Sequence, residues 1–159
     1  MAWPPATRDH GTFCISCHTA LPYALARPAL RAALGEEAPS QNERRLLESV
    51  NKRVRLWNEV KPFYTESSGA RKTLQSRGTE SILNALILAS ADARNGKLSD
   101  DTRAAFDYMW ALQGKTGDQK GAWPWLDSVS YTHLGWESRT SSWRFSRIFE
   151  RASSDATAR

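Results

Sequence analysis

Residues Ile82-Leu83-Asn84-Ala85-Leu86-Ile87-Leu88-Ala89 are apolar almost all the way round a helical projection. A helix of that kind must be covered on several sides, so its neighbours form layers around it. The chain has material for such cover: 40% of its 159 residues are hydrophobic and 25% are charged. That mix excludes a collagen-like or wholly disordered chain, and the length suits one domain. No apolar run approaches the ~20 residues of a membrane span, so no integral span is expected. The formal charge is +5. The basic residues are dispersed among carboxylates, which argues against a nucleic-acid partner.

Helix punctuation organises the middle of the chain. Ser40 and Glu43 form an S-x-x-E capping box. Leu46, Leu47, Val50, Val54 and Trp57 then make one apolar stripe to about Val60, with Pro62 as the stop. Arg44, Arg45, Glu48, Lys52, Arg53 and Arg55 mostly fill the remaining circumference and read as a solvated face. Residues 61–78, with Pro62, Ser67-Ser68-Gly69 and Gly78, read as a loop. Thr79 caps a helix from Glu80 to Arg94, and Asn95-Gly96 ends it. Ser99 caps another from Asp100 to Gln113, whose two leading carboxylates suit the positive helix end. The short link between them makes an antiparallel hairpin. Before these, residues 1–11 read as an irregular entry. Thr12–Leu34 reads as two or three short helical turns broken by Pro22 and Pro28, closed by Gly35. No segment sustains two-residue alternation, so the expected class is all-α.

Both cysteines fall in Cys14-Ile15-Ser16-Cys17-His18, the C-x-x-C-H pattern of c-type haem attachment. On one helical turn, two thiols three residues apart reach the two vinyl groups on one porphyrin edge. The adjacent imidazole then meets the iron. Cys14 and Cys17 are therefore the expected thioether donors and His18 the metal ligand, with covalent haem c as the cofactor. Three rivals stand beside this reading. A redox C-x-x-C wants a strand–helix context that is missing here. A zinc site would add His10 to Cys14, Cys17 and His18, an awkward set because Cys17 and His18 are neighbours. Two structural cysteines beside an ordinary histidine form the third. For a sixth ligand, Met109 lies among Tyr108, Trp110 and Leu112 and reads as core. His10 sits on the proximal side, and His133 lies in the tail.

The segment Arg103-Ala-Ala-Phe106-Asp-Tyr-Met-Trp110-Ala-Leu-Gln113, continuing to Gly121-Ala-Trp123, resembles the QW repeat of squalene-hopene-type terpenoid cyclases. Gln113, Gly121 and Trp123 carry the resemblance, with a gap between Gln113 and Gly121 longer than the family usually has. With the preceding hairpin it covers residues 79–126 and implies part of an α/α toroid. The stretch from His10 to about Leu34, followed by such a hairpin, is similar to bacterial proteins that join a C-x-x-C-H segment to a squalene-cyclase-like toroid. The family's D-x-D-D acid motif is absent, and Asp100-Asp101 reads as helix-end stabilisation. Trp57, Trp110, Trp123 and Trp125 read as interhelix packing.

From Ser128 the character changes, with eight serines and no lysine to the end. Val129-Ser-Tyr-Thr-His-Leu134 resembles translated sequencing-adapter DNA, so residues 128–159 are expected to be foreign to the natural protein. Ser142–Phe149 nevertheless reads as a short basic amphipathic helix. The resulting division is a haem-attachment segment over 1–35, helical hairpins over 36–127, and an irregular tail. A complete toroid needs on the order of twelve helices of ~11–12 residues, so the chain is expected to be a fragment. The expected function is electron transfer or haem-based ligand chemistry in an exported, periplasmic protein, with the redox partner or small ligand unspecified. The alternatives are a terpenoid cyclase-like enzyme fragment with its catalytic residues elsewhere, and a non-catalytic helical scaffold.

Overall fold

The computed structural model describes residues 8–126. His133, the 142–149 segment and the expected foreign tail lie outside them. The chain opens with a two-stranded antiparallel hairpin, β1 (Arg8–Asp9) and β2 (Thr12–Phe13), in which Asp9 pairs with Thr12. His10 (φ 50°) and Gly11 (φ 70°) form its two-residue link. Positive φ at both link positions gives a turn whose twist matches the strands. Four helices follow: α1 (Ala20–Ala33), α2 (Gln41–Arg55), α3 (Ala70–Asp92) and α4 (Asp100–Ala111). The described residues are mostly helical, as the patterning implies; the four strand residues are the exception.

α1 is one continuous helix where two or three broken turns are expected. Pro22 sits in its first turn, where the missing amide has no intrahelical partner to lose. Pro28 lies inside the helix, which runs on regardless to a left-handed Gly35.

α2 begins at the capping box: the Ser40 hydroxyl accepts from Glu43 N, and the Glu43 carboxylate accepts from Ser40 N. The helix stops at Arg55, a turn short of the expected Val60. Leu56–Val60 tighten into successive turns, which bury Val60 and carry Trp57 onto the Tyr108 ring at 4.9 Å.

α3 is the inner helix and touches α1, α2 and α4. Ile82, Leu83, Ala85, Ile87 and Leu88 on it are all nearly inaccessible to solvent. Each of the leucine and isoleucine side chains contributes ~1.5–3 kcal/mol by leaving water. The helix starts ten residues before the expected Glu80, so 70–78 is helical rather than loop. Gly78 misleads because it punctuates nothing. A Cβ at this position would lie 2.1 Å from the Pro124 carbonyl oxygen, so glycine lets the 122–126 segment cross α3 closely. Thr79 likewise caps no helix; its hydroxyl accepts from Leu126 N at 2.8 Å on that same crossing segment.

α3 and α4 form the expected antiparallel hairpin, turned at Gly96 (φ 65°). Ser99 caps α4 through Thr102 N, and Asp92 clamps the turn by accepting from Ser99 N and Thr102 Oγ1, each at 2.6 Å. α4 ends at Ala111 rather than Gln113 because Gly114 N turns to Ala122 O and Gly121 N to Gly114 O, both at 2.8 Å.

Two predictions follow from this packing. Gly78→Ala forces the 122–126 segment off α3 and lowers the unfolding free energy by about 1–3 kcal/mol in chemical denaturation. Burial pushes the Asp92 carboxyl up, but the bonds from Ser99 and Thr102 overcome this and hold it below the ordinary range. A lowered carboxylate stabilises the fold above its unfolded pKa, and that contribution disappears as pH falls through the lower folded value. Asp92→Asn should therefore flatten the loss of thermal stability on acidification below about pH 4.

Candidate functional site

The C-x-x-C-H segment joins the hairpin to α1. Its geometry differs from the expected single helical turn: Cys14 to Ser16 are irregular, Cys17 to Thr19 form a turn, and α1 starts only at Ala20. Ser16 is the reason. Its hydroxyl accepts from Thr19 N at 3.0 Å and Ala20 N at 3.4 Å, so it closes the turn ahead of the helix and leaves Cys14 outside.

Three polar contacts fasten the hairpin to the helices. Phe13 N donates to the Ser49 hydroxyl at 3.1 Å, Lys61 N to Asp9 Oδ2 at 2.6 Å, and Arg53 Nη1 to Thr12 Oγ1 at 2.9 Å. The last contact belongs to a buried network that reading Arg53 as part of a solvated face misses. Arg53 is 0% exposed; its Nε meets Glu80 Oε1 at 2.5 Å and its Nη2 donates to Lys61 O. Burial works to discharge Arg53, and the bond to Glu80 outweighs it, raising the guanidinium above its ordinary range. The signal for this was positional. Arg53 lies three residues after Val50 and four before Trp57, on the apolar stripe rather than opposite it.

The two thiols differ. Cys14 faces the network, and burial pushes its thiol up to about 11, with Glu80 adding to the shift and Arg53 and Arg77 opposing it. Burial also raises the Cys17 thiol, which lies 2.6 Å from His18 Nδ1. The His18 side chain is exposed at the surface. Both sulfurs are thus protonated near neutrality, unlike the depressed thiolate that a thiol-redox pair uses.

The other candidates have structural duties. His10 sits in the hairpin link beside Asp9 at 3.1 Å. Among the described residues, no three His, Cys, Asp or Glu side chains converge on a metal position, so His10 does not complete a zinc set with the C-x-x-C-H residues. Met109 is 1% exposed and lies in the core, where its carbonyl accepts from Trp123 Nε1 at 2.7 Å. Asp101 takes a two-pronged bond from Arg55 at the start of α4. The aromatic residues tie elements together: Arg77 lies 4.7 Å over the Trp57 ring, and Trp110 packs 5.3 Å from Trp123. Gln113 Nε2 donates to Gly121 O at 3.1 Å, closing the loop whose length separates those two residues.

Arg53→Met leaves Glu80 buried without its cation, an effect of about 3–5 kcal/mol on unfolding. It also unfastens Thr12 and with it Cys14. In a Cys17→Ser background, iodoacetamide should modify Cys14 slowly, with a rate that climbs through pH 10 without levelling. Arg53→Met should speed that reaction at pH 8, because freeing Cys14 from burial, the largest cause of its raised pKa, outweighs the loss of the nearby cation.

Compared with protein-family models, curated proteins and solved structures, the chain finds no match. Its function therefore has to be argued from the chemistry of this site.

Proposed function

We propose that the chain carries covalent haem c, attached through Cys14 and Cys17 with His18 as axial ligand, and acts in electron transfer or haem-based ligand chemistry. The observation that carries this is the presentation of C-x-x-C-H. The segment is pinned by the hairpin on one side and by α1 on the other, with its imidazole exposed at the surface.

The donor chemistry fits the group. Thioether formation adds an S–H across a vinyl double bond, and the raised pKa values of both cysteines keep that hydrogen in place. His18 Nδ1 lies against the Cys17 sulfur, and Nε2 is the nitrogen that would meet the iron. When bound, the group would supply a redox-active iron, suited to electron transfer or to binding a small molecule. The chain's own contribution is to hold the imidazole and restrict its rotation, and to bury the Cys14 sulfur against the Arg53–Glu80 pair. Attachment of this kind takes place outside the bacterial cytoplasm, so the reading includes export.

We further infer that the scaffold is part of an α/α toroid of the terpenoid-cyclase type. Support comes from the antiparallel α3–α4 hairpin and from the Gln113–Gly121 and Trp123–Met109 bonds that tie its outer end. No described residue is assigned to proton-initiated cyclisation, since Asp101 is engaged by Arg55.

The test is expression of the 159-residue chain behind an export signal, together with cytochrome c maturation factors. A haem-stained band that survives denaturation, with a c-type pyridine haemochrome spectrum, is the expected result. Cys14→Ala/Cys17→Ala should abolish the band, and His18→Ala should alter the axial-ligand absorption of any haem that remains. An exported, folded chain without covalent haem would overturn the proposal.

A further inference from the structure

Arg77, Glu80 and Asn84 are spaced three and then four residues apart, so they share one face of α3. This stripe holds several unsatisfied polar atoms. Asn84 is 1% exposed, and neither its Oδ1 nor its Nδ2 has a hydrogen-bond partner. Glu80 is 5% exposed; Oε1 is taken by Arg53, whereas Oε2 is unbonded. Arg77 Nη1 is also unbonded, 4.0 Å from Glu80 Oε2. That separation is too long for a direct hydrogen bond and is the span over which one small molecule bridges two polar groups.

The chemistry of the stripe selects its occupant. Arg77 Nη1 and Asn84 Nδ2 donate, while Glu80 Oε2 and Asn84 Oδ1 accept. A cation is disfavoured by Arg53 and Arg77, and an anion by the open oxygen of Glu80. The grooves beside α1, around Leu25 and Pro28 and around Tyr23 and Leu47, are not lined by these three residues, so neither leads a larger ligand to them. A neutral molecule that both donates and accepts, and is no larger than the gap, remains. We propose that this face of α3 is an internal hydration site. Water bridges Glu80 Oε2 to Arg77 Nη1 and hydrogen-bonds the Asn84 amide.

The site bears on the C-x-x-C-H segment whether or not haem is attached. Glu80 holds Arg53, Arg53 holds Thr12, and Cys14 follows two residues later. Water on the second Glu80 oxygen completes the bonding of the carboxylate that anchors the hairpin through Arg53. A buried polar group satisfied in this way is retained, whereas a dry amide among Ile82, Leu83 and Ile87 is a standing penalty.

Two measurements on the full chain test the site. In the unsubstituted protein, the Asn84 Nδ2 protons should show nuclear Overhauser contacts to water, with the sign of a molecule held longer than the protein's tumbling time. Asn84→Leu keeps nearly the same volume and replaces the amide with an apolar group. Loss of the water's bonds should lower Tm by about 3–6 °C. An unchanged or raised Tm in Asn84→Leu would mean a dry orphan amide and would overturn the proposal. So would absent water contacts in the unsubstituted protein, which keeps the test decisive even if the variant fails to fold.

Discussion

The fold turns on the buried contact between Arg53 and Glu80. Withdrawing both charges from water is costly, and the pair persists only because the remaining donors of the guanidinium are used. Arg53 spends its fork on Glu80 of α3, Thr12 of β2 and the Lys61 carbonyl beyond α2. One side chain therefore fixes two helices, the entry hairpin and the connection to α3. A lysine ammonium has no planar fork and would not hold these three partners in one plane. The hairpin has only two residues per strand, far too few to be stable alone, so its position derives from this anchor and from Ser49.

How much of this was legible depended on whether the signal was local. The capping box at Ser40, the Ser99 cap and the inner character of Ile82–Leu88 all lie within a few residues of sequence, and each appears as expected. The misreadings share another cause. Gly78 and Thr79 resemble a turn and a cap because the 122–126 segment that crosses them arrives more than 40 residues later. Arg53 resembled a surface cation because Glu80 lies 27 residues away and was assigned to a helix N-terminus. Tertiary contact reversed the local preference in each case. The start of α3 at Ala70 follows the same rule, since Gln75, Ser76 and Thr79 are polar yet buried.

The C-x-x-C-H residues were legible as a motif and illegible as geometry. Spacing alone suggested a helical turn, because three residues apart is nearly one turn. Ser16 within the motif decides otherwise, since its hydroxyl caps the turn that precedes α1 and holds Cys14 in the hairpin's continuation. The two cysteines consequently belong to different parts of the fold. Burial raises both thiols, but Cys14 also feels the Glu80 and Arg53 charges, whereas Cys17 lies against the His18 ring in the surface turn.

That division bears directly on the proposed cofactor. A porphyrin attached at both sulfurs would be held along one edge, by a half-buried cysteine beside the Arg53–Glu80 pair and by a second cysteine in the turn before α1. His18, which would be the iron ligand, follows Cys17 in that turn. The elements nearest the motif, which would tune such a group, are the hairpin, the start of α1 and the polar stripe of α3. The α3–α4 hairpin and the tryptophan ties act one step further back, as the frame that keeps Arg53 and Glu80 in register.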